Sequence, residues 1–158
     1  MSNFTYHQAT SGWQHNALQL ATTGQWEEAL TLWSEQATPD KLNLWLLKRL
    51  DGVKNDSNTQ LLGEMRRWIT EPEEKLRWKI FHHAEKMGFD TPVGALALSL
   101  FWSQGSMSPE GLEPVYPEPH LSGLMRRCVL LMLATLNNDS PAKGTTALLA
   151  QWAHQENL

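Results

Sequence analysis

Six histidines and a single cysteine are the side chains of this chain best suited to metal or acid–base chemistry. His82 and His83 are adjacent in "FHHAEKM". Neighbours on a helix diverge by roughly 100 degrees, so the two do not face one metal together. His82 and Glu85 stand three apart and share a helix face, which gives one pair of ligands. No third partner has motif spacing, and the zinc-protease pattern is absent. His7, His15 and His154 are isolated. His120 follows Pro119 and is placed to cap a helix that starts near Ser122. Cys128 lies in the apolar run "RRCVLLML" and reads as a buried small hydrophobe. One cysteine builds neither a disulfide framework nor a cysteine zinc site. There is no P-loop, no glycine-rich dinucleotide fingerprint and no nucleophile elbow. The expectation is a non-enzymatic protein with no catalytic residue, no cofactor and no metal.

The elements that must position any site are legible from their punctuation. Thr38-Pro39, Thr91-Pro92 and Ser140-Pro141 each head an apolar-periodic segment. A hydroxyl at the N-cap takes an orphan N–H, and proline at the first helical position gives up nothing. In "TEPEE", Thr70 and Glu73 have capping-box spacing, which predicts a helix from 71. Helices are expected over 11–22, 25–36, 39–50, 58–69, 71–87, 92–103, 122–137 and 141–155. The helix at 92–103 is apolar nearly all round and should be central. Gly24, Gly88 and Gly105 end their segments. No run alternates with period two. The fold class is all-α, a compact bundle of seven or eight helices with a Pro-rich strap at 106–121. The length of 158 residues predicts one domain, 1–158, comprising a hairpin at 11–36 and a helical core at 58–155. The hairpin "ALQLATTGQWEEALTLW" resembles half of a tetratricopeptide-type repeat, but no second copy follows about 34 residues later, so no solenoid is expected.

The net charge of −4 leaves no electrostatic footprint for nucleic acid. "VGALALSLFW" and "CVLLMLATL" fall short of the roughly 20 residues that span a bilayer. The start, "MSNFTYHQATSGWQ", has no basic or apolar export region. With cysteine so rare, a cytoplasmic location is expected. The short clusters "MRRW" and "EKLRWK" read as solvated helix faces.

Two features suggest partner contact. There are eight tryptophans, most of them expected to fill the core. Trp78 lies off the stripe of Leu76, Ile80, Phe81, Ala84 and Met87, amid Lys75, Arg77 and Lys79. It is expected to point outward as an interface anchor, with packing against the first hairpin as the alternative. The stretch "SPEGLEPVYPEPHL" has prolines at 109, 114, 117 and 119, which bias it toward extended polyproline geometry. One reading is a rigid strap that buries Leu112, Val115 and Tyr116. The other is a preformed recognition segment or pocket rim. The partner-binding candidates are Trp78, Tyr116, Pro117, Pro119 and His120.

From 64 to 135 the chain resembles an uncharacterised family of small bacterial proteins. Trp68, Pro72, Ala84-Glu85, Thr91-Pro92, Phe101-Trp102-Ser103, Gly105-Ser106, Pro117, Pro119, His120 and Leu121 fall on that family's pattern. Gln104 replaces a glycine usual there, and Tyr116 and Glu118 interrupt its proline run. The resemblance implies association with type VI secretion gene neighbourhoods, as an accessory component, and carries no catalytic residue. The expected function is a non-catalytic protein-binding accessory, adaptor or chaperone-like, of a type VI secretion system. Its partner would be a secretion-system component or an effector. The alternative is an immunity protein that neutralises a secreted toxin.

Overall fold

Thr91 shows how the local rules set the architecture. Its hydroxyl accepts the Gly94 N–H at 3.1 Å and donates to the Gly88 carbonyl at 2.8 Å. Pro92 follows at the first helical position, and the helix it opens runs to Ser103. Ser140 repeats the device, accepting the Lys143 N–H at 3.2 Å ahead of Pro141. The computed structural model describes residues 2–52, 56–136 and 139–156, with side chains over 12–52, 58–136 and 139–155. His7 lies outside the described side chains.

The fold is all-α. Its helices are α1 (Ser2–Thr22), α2 (Trp26–Gln36), α3 (Pro39–Leu50), α4 (Asp56–Thr70), α5 (Glu74–Met87), α6 (Pro92–Ser103), α7 (Leu121–Thr135) and α8 (Pro141–Glu156). Two differences from expectation have local causes. Helix α1 begins nine residues before the expected start, because no proline interrupts the chain there even though no apolar stripe announces a helix. The expected capping box at Thr70 is not formed. Thr70 ends α4, with its hydroxyl on the Arg66 carbonyl at 3.2 Å. Proline at 72 disfavours helical geometry in the residue before it, so α5 restarts only at Glu74. Glu73 is extended there and makes no side-chain cap.

The chain divides into two units, one holding the residues up to Thr38 and from Leu130 onward, the other holding Pro39–Val129. In the first, α1 and α2 form the expected hairpin. Ala17 and Ala21 are buried and let the helices approach, and Gly24 turns the chain at φ 92°. Helix α8 packs on both through Trp152, whose ring lies 5.8 Å from Trp33 and 6.5 Å from Trp13. Gly144 of α8 sits so close to the end of α7 that a Cβ there would overlap the Ala134 carbonyl.

In the second unit α6 is the axis. Every residue from Val93 to Phe101 is buried, as expected of a helix apolar all round. Helices α3, α4 and α5 pack on it. They contribute Leu42, Leu46, Leu61, Met65, Leu76 and Ile80, all buried. Ser99 of α6 and Ser122 of α7 exchange reciprocal bonds, each hydroxyl donating to the other's carbonyl at 2.8 and 2.9 Å.

Candidate functional site

The Pro-rich strap begins where α6 ends, and a buried arginine anchors it. Arg77 was expected on a solvated face; it is instead 2% exposed. Its Nε and Nη2 donate to the Phe101 carbonyl, Nη2 also reaches the Ser106 carbonyl at 2.9 Å, and Nη1 pairs with Glu74 at 2.7 Å. Burial pushes this guanidinium below the ordinary arginine value, and Glu74 opposes the shift. The fit explains Gly105. That residue has φ 81°, and a Cβ there would come within 2.9 Å of Arg77 Cζ.

Beyond Gly105 the strap is closed by polar pins. The Met107 N–H donates to the Val115 carbonyl at 2.7 Å, while the Ser106 hydroxyl accepts the N–H groups of Ser108 and Val115, both at 2.9 Å. The expectation that Leu112, Val115 and Tyr116 are buried is overturned. They are 64, 52 and 68% exposed. Hydrogen bonds at the neck of the loop fix its shape, so these side chains are free to face outward.

Beside the strap lie two adjoining cavities of about 370 and 470 Å³. Both are within the size range of ligand pockets. They share Pro39, Ser103, Gln104 and Arg126. The first is walled by Trp102, Tyr116, Pro117 and Pro119. The second is walled by Leu44, Trp68, Ile69, Pro72 and Leu100, with Asp40 and Asn43 as its polar members. Arg126 is 7% exposed. Its Nη1 donates to the Ser122 hydroxyl at 2.8 Å and approaches the Ser99 hydroxyl at 3.4 Å. Its Nε is buried without a hydrogen-bond partner, as is Oδ1 of Asn43. Burial pushes Arg126 below the ordinary arginine value, and the charge of Asp40 works the other way. The arrangement holds a cation in a partly apolar groove. Among the described residues it shows no nucleophile paired with a base, and no three His, Cys, Asp or Glu stand close enough to hold a metal.

The structure brings Tyr116, Pro117 and Pro119 together at the groove rim. His120 is exposed at the start of α7, where its carbonyl accepts the Leu124 N–H at 3.0 Å. Trp78 is elsewhere and does not point clear of the fold as expected. It is half-buried, meets Phe101 edge-on at 4.8 Å and Phe81 at 5.8 Å, and donates to Glu74 at 3.1 Å. The cause is the last turn of α6, which presents Phe101 to the side of α5 that the apolar stripe does not cover. His82 and Glu85 form an exposed pair at 3.8 Å, whereas His83 turns to the buried Glu64 at 3.0 Å. Cys128 is half-buried, not fully so. Arg126, Asn43 and Arg77 were missed. For Arg126 a signal existed. Ser122, Arg126, Val129, Leu130 and Leu133 make one buried stripe of α7, so an arginine occupies a core position.

Residues 17–154 match a protein family described as a family of unknown function, DUF6931. The chain belongs to that family. The match spans the strap, both cavities and Arg126. No curated protein and no solved structure matches the chain. Among the described residues, no helix is long and apolar enough to cross a membrane.

Proposed function

We propose that this chain is a non-catalytic protein-binding module, an adaptor or chaperone-like accessory that serves a type VI secretion system in the cytoplasm. The observation that carries the binding role is the outward display of Leu112, Val115 and Tyr116 on a loop already fixed by hydrogen bonds. Large apolar side chains clustered on a surface mark interaction sites. A segment ordered before it binds loses little further entropy on binding. The secretion context rests on the resemblance of residues 64–135 alone.

The test is affinity capture with mass spectrometry from a host with an active secretion system. The wild-type chain should retain secretion-system components or effectors. A Leu112→Ser, Tyr116→Ala double variant of unchanged helicity should lose them. Capture of one tightly bound toxin would favour the immunity role instead. Equal capture by both forms would refute the strap as the binding surface.

A further inference from the structure

We propose that the Arg126 groove binds a carboxylate, the free C-terminal carboxylate of an extended partner tail that ends in an apolar residue. This rests on the protein-binding reading and names the chemistry recognised in the groove that Tyr116 of the strap borders.

A buried cation without a counter-ion is costly and is normally paired. Arg126 is buried, and no carboxylate among the described residues forms an ion pair with it. Its Nη1 is spent on the two serine hydroxyls, and its Nε, on the edge shared with Nη2, is buried without a hydrogen-bond partner. That edge carries two parallel N–H groups, the fork that takes both oxygens of a carboxylate. The serines hold the guanidinium plane in place, so the fork is set before any ligand arrives.

The rest of the groove narrows the choice of anion. Among the described residues Arg126 is the only cationic side chain that lines it, and Asp40 lines the same cavity. A carboxylate at Asp40 repels any anion there, a phosphate dianion about twice as strongly as a monoanion, so the single arginine favours the monoanion. Oδ1 of Asn43 is a buried acceptor that lacks a donor. The terminal residue of a peptide supplies both complements, a carboxylate for Arg126 and an amide N–H for Asn43. Leu44, Trp68, Ile69 and Leu100 form a wall for its apolar side chain. The adjoining cavity under Trp102, Tyr116 and Pro117 leaves room for the residues that precede it.

The experiment titrates the full chain with acetyl-Gly-Ser-Gly-Leu as the free acid, the same peptide as its C-terminal amide, and N-acetyl-leucine, followed by tryptophan fluorescence and calorimetry. The free acid should saturate with a Kd below about 1 mM, and the amide should bind at least about tenfold more weakly. Arg126→Gln should lose the same factor. Because that variant removes buried hydrogen bonds and can unfold, Leu44→Glu supplies a second reading. Leu44 is exposed on α3, so the substitution spares the fold; it removes part of the apolar wall and adds a repelling charge, so both ligands should weaken and the acid by the larger factor. Equal binding of acid and amide, no saturation by about 10 mM acid, or undiminished binding by a folded Arg126→Gln variant would overturn the proposal. N-acetyl-leucine binding as tightly as the peptide would overturn a tail as the source and leave a small-acid site. Capture of the same partner by wild type and Arg126→Gln would keep the protein-binding reading and remove this one. Acid binding without any captured protein would do the reverse.

Discussion

Arg77 of α5 grips the carbonyl of Phe101, the penultimate turn-end of α6, with Nε at 3.0 Å and Nη2 at 2.8 Å, while its Cζ lies 3.9 Å from the centre of the Phe101 ring. The last carbonyls of a helix have no intrahelical donor, and here a side chain from another helix provides one. The same guanidinium holds Ser106, so the end of α6 and the neck of the strap share one anchor.

Arg77→Met should therefore cost about 3 kcal/mol or more, since it leaves the buried Phe101 carbonyl and the part-buried Ser106 carbonyl without this donor. Arg77→Lys should recover little of that, because an ammonium cannot span the same acceptors as a planar fork. Urea unfolding checks both. An unchanged midpoint for Arg77→Met would contradict the anchor.

The strap should respond in the opposite way to changes at its tip and its neck. Val115→Ser and Tyr116→Ala remove exposed side chains and should shift stability by no more than about 0.5 kcal/mol. Ser106→Ala removes the hydroxyl that accepts two N–H groups and should cost about 1 kcal/mol. Thermal melts of the three variants read the contrast directly, and a large loss at Tyr116 would restore it to the core.

Trp78→Ala should lower stability by about 1–2 kcal/mol through its lost ring contacts with Phe101 and Phe81. The expected companion result is unchanged partner capture. Weakened capture with an intact melting point would return Trp78 to the interface.

Gly144→Ala should cost about 3 kcal/mol or more, since the new methyl meets backbone rather than a movable side chain. Helical circular dichroism during heating is the measurement. A near-neutral outcome would contradict this close approach of α8 to Ala134.

Chelator treatment should leave both circular dichroism and melting temperature unchanged, because no three ligand-type residues of the described chain converge. Stoichiometric zinc lost together with stability would refute this.

The helices were legible because their signals are local. Thr91-Pro92 and Ser140-Pro141 cap as their chemistry dictates, and Gly24 and Gly88 turn where they should. The site was not legible, because its signals are not local. Arg77 is buried by an acceptor 24 positions away, and Arg126 nears a hydroxyl 27 positions away. Local charge in "EKLRWK" argues only for solvent. The proline spacing announced a non-helical segment between α6 and α7, but which way its side chains face depends on the Ser106 pins. Trp78 failed for a related reason, since helical periodicity marks one packed stripe and is silent about a neighbour arriving at its flank.

The second unit is one uninterrupted stretch of chain, while the first is assembled from segments on either side of it. A ribosome therefore delivers the parts in an order that reverses the usual N-terminal-first completion of folding. Helices α1 and α2 emerge early but must wait, with the Trp33 face uncovered, until Trp152 has been synthesised. The groove, the strap and Arg126 are all in place before then. Nascent chains halted once Val129 has cleared the exit tunnel should already shield α6 from protease while α2 remains cleavable.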